Sequence, residues 1–292
     1  TATVKDSGGN VMSGVTVSWT SSAASVATVS SAGLVTSVAD GTATVTATFG
    51  VLAATTSVTV AQVATSVTLS PTTISFASLG GTATLTATVK DANDSTMAGA
   101  TVTWSTSAAS VATVSSAGLV TSVSDGTATI TATAGAASAT AAVTVAQVAS
   151  SIELSDTLPT FASLAATTQL TATVKDANDS TISGATISWA TSDTTIATVS
   201  ASGLVTSVDN GTATITATSG SLTATASVTV SQVASTVTVS PSTKTFTAIE
   251  ETVTLSVTVN DAGGTEMSGA IVTWASSDAT VATVSSSGLV TS

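Results

Sequence analysis

Residues 127–133 read Thr-Ala-Thr-Ile-Thr-Ala-Thr, a strict alternation of polar and apolar side chains. Successive side chains on a strand point to opposite faces, so this run predicts a half-buried strand with Ala128, Ile130 and Ala132 inward. Thr127, Thr129, Thr131 and Thr133 then face water, where a β-branched polar side chain suits the pleated surface. The same alternation occupies 84–90, with Leu85, Ala87 and Val89 on one face, and 100–104, with Ala100, Val102 and Trp104 inward. Shorter segments complete the set: 67–69, 74–76 as an edge segment with Phe76 inward, 111–114, 119–120 and 141–145. Pro71 cannot donate to a ladder and marks the end of the first of these. Turns are predicted at 91–96, Ala117-Gly118 and Asp125-Gly126. Helix-period patterns are absent.

This set of seven or eight short strands occurs more than once. Trp19, Trp104, Trp189 and Trp274 lie 85 residues apart, inside near-identical surroundings. A fixed period makes each repeat one structural unit. The period predicts a partial repeat over 1–62, complete repeats over 63–147 and 148–232, and a partial repeat over 233–292. The chain starts and stops within a repeat, which reads as an internal piece of a longer protein. Many short strands with a turn every eight to twelve residues predict an all-β fold of tandem immunoglobulin-like sandwiches. A unit of this size can bury its own core, unlike a solenoid repeat that needs its neighbour. The joining stretches 58–69, 143–154 and 228–239 contain no Gly or Pro. Flexible linkers are rich in Gly and Ser, so an extended, stiff rod is expected.

Composition narrows the chemistry. The chain has no Cys, His, Tyr or Arg; its four cations are Lys5, Lys90, Lys175 and Lys244, against sixteen carboxylates, for a net charge of −12. A basic footprint for nucleic acid or for an anionic membrane surface is missing. No run is long enough and apolar enough to span a bilayer as a helix, so no membrane insertion is expected in this segment. Without His the usual general base is gone, and without Cys there is neither a disulfide framework nor a thiolate metal site. Only carboxylates and hydroxyls remain for catalysis. No carboxylate pair recurs in all four repeats, and no base is present to activate a Ser, so the segment reads as non-enzymatic, with no catalytic or cofactor-binding residues.

The run Val102-Thr-Trp-Ser, Ser110-Val-Ala-Thr-Val, Gly118-Leu-Val-Thr and Gly126-Thr-Ala-Thr-Ile-Thr-Ala resembles the bacterial immunoglobulin-like domain, group 2. Ile187-Ser-Trp-Ala, Thr195-Ile-Ala-Thr-Val, Gly203-Leu-Val-Thr and Gly211-Thr-Ala-Thr-Ile-Thr-Ala match equally well. The resemblance covers essentially the whole chain and is specific for the fold. It implies a stalk or adhesive module of a bacterial cell-surface protein, as in intimin- and invasin-like adhesins, with no catalytic residues to carry over. Related domains occur in phage structural proteins and as accessory domains of secreted enzymes.

One feature suggests a metal. The acidic turn Asp91-Ala-Asn93-Asp94 recurs as Asp176-Ala-Asn178-Asp179, and calcium takes oxygen ligands of this type. The equivalent turns read Asp6-Ser-Gly8-Gly9 and Asp261-Ala-Gly263-Gly264. Gly-Gly and Asn-Asp share tolerance of positive φ and do not share ligands, so the turn reading explains all four copies and calcium is the alternative. Asp40-Gly41, Asp125-Gly126 and Asn210-Gly211 read as tight turns. Asp193 and Asp278, where other copies have Ala, read as exposed loop positions. The tryptophans read as core anchors in preference to sugar-stacking platforms. The outward Thr rows read as wet strand faces in preference to ice-binding or O-glycosylated arrays. Asn93, Asn178 and Asn210 sit in N-glycosylation triplets that arise often by chance.

These readings predict a structural spacer of an extracellular bacterial surface protein or fibre. Its expected partners are neighbouring repeats of the same chain, with self-association into a fibre as a variant. The rivals are an adhesive module acting through repeated weak sites by avidity, and a phage fibre or decoration protein.

Overall fold

The computed structural model describes residues Thr1–Ser292, which form strands and no helix; no helix is therefore long and apolar enough to cross a membrane. Its contacts divide the chain into two units. One comprises Thr1–Phe76 and Thr82–Val145; the other comprises Ala77–Gly81 and Ala146–Ser292.

In the first unit the dominant element is the antiparallel hairpin Gly126–Ala134 with Ala137–Val145, in register from Gly126↔Val145 to Ala134↔Ala137. Its two-residue loop opens with Gly135 at φ 59°, as the type II′ turn favoured by twisted strands requires. Ala128, Ile130, Ala132, Ala141, Val143 and Val145 are all buried along its inner face. The second strand begins at Ala137, earlier than the alternation from Ala141 indicates, because Ala and Ser at 137–139 give no contrast between faces. Thr103–Thr106 pairs with one side of the hairpin, and Thr73–Phe76 lies parallel to the other, as an edge strand. Ile74 is its buried residue; Phe76 is only half-buried.

The opposing layer departs from the expected single strand over 84–90. That run is two strands in two sheets. Thr82–Thr84 pairs with Leu119–Thr121, whereas Thr86–Lys90 pairs with Ser66–Ser70. The chain changes sheets at Leu85, which is buried and donates its N–H to Gly118 O at 2.8 Å. Alternation continues through the crossing, so the side-chain pattern carries no sign that the backbone partner changes.

The second unit repeats this plan. Phe161, Leu170, Val205, Ile215, Val228 and Val230 are among the buried residues of its core, drawn from both layers. Gly211–Ser219 and Leu222–Val230 form the long hairpin, and Leu170 occupies the sheet-crossing position. Trp189 packs against this core but is itself only half-buried, as are Trp19, Trp104 and Trp274. The indole is thus a wall of the core and not its centre. Gly203, at φ 85°, lies flat against it. A Cβ on Gly203 would stand 2.4 Å from Leu170 O and 2.9 Å from the indole Cε2 and Cζ2, so both the backbone conformation and the space require glycine here.

The hairpin covers the facing strand Ser66–Ser70, whose Val67 packs beneath it and is 8% exposed.

Gly203→Ala is expected to destabilise the second unit by about 3 kcal/mol, through left-handed strain and overpacking together. Gly220→Ala, at a hairpin loop with the same sign of φ but nothing within 4 Å of the added Cβ, should cost only about 1 kcal/mol. Equal losses in denaturant titrations of the two variants would remove the close-approach explanation. Trp189→Ala should cost about 3 kcal/mol, the low end for a large aromatic because one side of the ring is already wet.

Candidate functional site: the acidic turn and the linker glutamine

All four acidic turns share one construction. The first aspartate turns its Oδ1 onto its own turn and accepts backbone N–H groups two and four residues ahead. For Asp6 these are Gly8 and Asn10, both at 2.9 Å; for Asp91, Asn93 at 2.9 Å and Ser95 at 3.0 Å; for Asp176, Asn178 at 2.9 Å and Ser180 at 3.0 Å. Asp261 accepts Thr265 N–H at 2.9 Å in the same way. The residue three after the aspartate is left-handed in every copy: Gly9 at φ 84°, Asp94 at 64°, Asp179 at 61° and Gly264 at 83°. Positive φ is what Asp and Gly have in common at this point.

Asp94 and Asp179 therefore lie on the outer rim of the turn. Asp94 meets Lys90 Nζ at 3.0 Å, an exposed pair of small energetic consequence. Lys175 turns instead to Glu153 at 2.7 Å. Of the six residues considered for calcium, Asp91 and Asp176 face N–H donors, Asn93 and Asn178 contribute a backbone N–H to them, and Asp94 and Asp179 sit apart at the rim. No three His, Cys, Asp or Glu side chains converge as a joint metal-ligand set.

The second oxygen, Oδ2, reaches beyond the turn. Gln62 Nε2 donates to Asp91 Oδ2 at 2.9 Å within the first unit. Within the second unit Gln147 Nε2 donates to Asp176 Oδ2 at 2.8 Å, and Gln232 Nε2 to Asp261 Oδ2 at 3.0 Å. Two of these oxygens accept a further backbone donor: Leu79 N–H reaches Asp176 at 2.8 Å, and Leu164 N–H reaches Asp261 at 2.9 Å. Asn178 Nδ2 also donates to Leu79 O at 2.8 Å, so both backbone groups of Leu79 are held. These contacts tie the short loop Ala77–Gly81 into the second unit. The residue after each leucine, Gly80 or Ala165, is left-handed at φ 70° or 57°.

An ionised carboxylate has about four lone-pair sites. Asp176 fills them with four N–H donors and is 1% exposed. Burial opposes the charge, yet the donors from Gln147, Leu79, Asn178 and Ser180 outweigh it and bring the pKa from 3.8 down to about 2. For Asp261, 2% exposed, the Gln232 side chain is the main cause of a lowered pKa, with burial opposing it and Leu164 and Thr265 assisting. Gln62 is likewise the main cause at Asp91.

The glutamines are also anchored at their own backbone. Gln62 N–H donates to Asp40 Oδ1 at 2.6 Å, and Gln232 N–H to Asn210 Oδ1 at 2.7 Å. The residue before Gly41 and Gly211 thus shapes a turn and also grips the linker. Asp193 and Asp278, read as interchangeable loop positions, cap their own turns through Thr195 and Thr280.

Sequence reasoning found the aspartates and missed the glutamines and the loop leucines. A signal was present: of the four Gln in the chain, three lie 85 residues apart, each 29 residues before a turn aspartate. The leucine donors recur as well, in Phe76-Ala-Ser-Leu79 and Phe161-Ala-Ser-Leu164, but their contribution is a backbone N–H, which an apolar side chain does not announce.

The family model described as bacterial Ig-like domain (group 2) matches residues 63–145 and 149–230, and one described as bacterial Ig-like domain matches 15–62. Among solved structures, surface layer protein SbsC, domains 1-6, is similar at 23% sequence identity and a TM-score of 0.32, over 91% of this chain and 41% of that one. The chain therefore spans less than half the length of that structure. FdeC, an Escherichia coli adhesin, is similar at 24% identity and a TM-score of 0.35, over 70% of this chain and 75% of that one. Curated protein sequences give no match.

Because the pKa of Asp176 is lower in the folded state, its charge favours folding at every pH above 3.8, and that contribution disappears as pH falls from 3.8 to about 2. Stability of the second unit should be level from neutral pH to about 5 and fall below about 4. Asp176→Asn should lower the thermal midpoint at neutral pH and shrink the acid-dependent part of the fall. Asp179→Gly, at a left-handed position already held by Gly in other copies, should change stability by less than about 1 kcal/mol. An acid profile for Asp176→Asn that superimposes on the parent's would remove Asp176 as its source.

Proposed function

Because the chain belongs to the family of bacterial Ig-like domains (group 2), we propose that it is a spacer segment of a bacterial extracellular surface protein. Its repeats are tandem Ig-like β-sandwiches. Their task in this reading is to hold something carried elsewhere at a distance, with no reaction performed along the way. The observation that carries the reading is the recurring bond from a linker glutamine to the next turn aspartate, at Gln62–Asp91, Gln147–Asp176 and Gln232–Asp261. A tether meant to be loose has no use for such a bond; a spacer that must keep its reach does. The linkers agree with this, since they contain no Gly or Pro and are not the Gly-rich kind that gives a chain random-coil freedom.

The acid excess counts against a nucleic-acid partner and keeps neighbouring molecules apart. No metal is assigned to the turns. At roughly 35–45 Å per sandwich, from strand length and rise, several in series would exceed about 100 Å.

Small-angle X-ray scattering of the 292-residue chain tests this directly. A largest dimension above about 100 Å, unchanged by a calcium chelator, is the expected result. A compact profile would overturn the spacer, and a profile that collapses on chelation would restore calcium to the turns. Saturable binding of this chain to host cells or glycans would favour the adhesive reading instead.

A further inference from the structure

The junction around Asp261 lies wholly within the second unit, and its hydrogen-bond polarity can be worked out from the backbone. The N–H of Gln232 can only donate, so the atom of Asn210 facing it at 2.7 Å is the carbonyl oxygen Oδ1. That fixes the other end of the Asn210 amide as Nδ2, a donor. The atom it meets on Gln232, at 2.9 Å, is therefore the acceptor Oε1. The remaining end of Gln232, facing Asp261 Oδ2 at 3.0 Å, is then the donor Nε2. The second group on that oxygen, Leu164 N–H, is a donor by nature. Every group directed at Asp261 Oδ2 thus presents a proton, and none offers an oxygen to a cation.

We propose that each such junction is a cation-free latch, in which one repeat recognises the turn carboxylate of the next copy of the repeat through a glutamine amide and a loop N–H. The proposal rests on the spacer reading for its purpose only; the recognition stands on geometry. A metal bridge would join two sets of oxygens through a shared cation. Here one carboxylate does the joining. Its Oδ1 closes its own turn and its Oδ2 takes the neighbour's donors, so the turn and the joint are stabilised by one charge. Hydrogen bonds to an ionised, buried acceptor are the stronger kind.

The same parts recur around Asp176 within the second unit, with Gln147 and Leu79 in the places of Gln232 and Leu164. In both cases the glutamine precedes the aspartate by 29 residues and the leucine by 97. The two joints differ at one contact. Asn178 donates to Leu79 O, whereas Gly263 stands close to Leu164 O, and a Cβ there would lie 3.1 Å from that oxygen. The donor pair and its acceptor are thus common to both, and the neighbouring contact varies.

Amide hydrogen exchange on the whole chain tests the latch at a single atom. In the parent protein Leu164 N–H should be protected, with no change on adding calcium or chelator. Gln232→Ala leaves the Asp261 turn intact and removes one of the two donors; it should reduce protection at Leu164 by about ten-fold. Gln232→Glu, which sets two like charges together, should reduce it further. The amides of Ile215 and Val228, deep in the core, should keep their protection in both variants and so report that the sandwich is folded. Unaltered protection at Leu164 in Gln232→Glu, or protection that rises with calcium in the parent, would overturn the latch. An unprotected Leu164 in a chain that scatters as an extended particle would overturn the latch and leave the spacer. A protected Leu164 in a compact particle would do the reverse.

Discussion

The long antiparallel hairpin is the wall on which the rest of each complete sandwich is built. Its inner face carries small and β-branched residues in strict alternation, so a second layer can approach closely along its whole length. Val67 and Leu69 on the facing strand are buried beneath it. Removing that apolar surface from water is what holds the two layers together.

Close approach in these sandwiches depends on glycine at one point in each copy. Gly118 and Gly203 face both an indole and a leucine carbonyl at distances no Cβ could occupy. The carbonyl belongs to Leu85 or Leu170, the residue at which the chain passes from one sheet to the other. The tryptophan, the glycine and the crossing are therefore one device. The indole covers the flank of the core, the bare glycine backbone lets it do so, and the leucine N–H donates to the same glycine's carbonyl. This accounts for a half-buried tryptophan in a position read as central: its outer edge closes the core against water.

The turn carboxylates show how a chain with few charges can use them. Most of its polar side chains are Ser and Thr hydroxyls, which accept one or two backbone N–H groups each at turns, as Ser115 does from Ala117 and Leu119. A buried carboxylate must satisfy several donors at once, or the cost of removing it from water is not recovered. Asp176 and Asp261 meet this demand by drawing donors from two separate stretches of backbone and one amide side chain. Their burial is thus a consequence of joining parts.

Much of the architecture could be read from residues alone. The Thr-Ala-Thr-Ile alternation places Ile130 inward because side-chain direction in a strand depends only on position along it, and the 85-residue recurrence of Trp19, Trp104, Trp189 and Trp274 marks the repeats because identical units leave identical patterns. The turn at Asp91 was legible for the same reason: its bonds are to residues two and four ahead. What lay beyond reach were choices of partner. Alternation says which face Leu85 occupies but not which strand its neighbours pair with, and nothing in the identity of Leu79 or Leu164 announces that its N–H will meet a carboxylate 97 residues later. Local chemistry is written in side chains, whereas pairing between distant stretches is decided by which backbones the packed layers bring face to face.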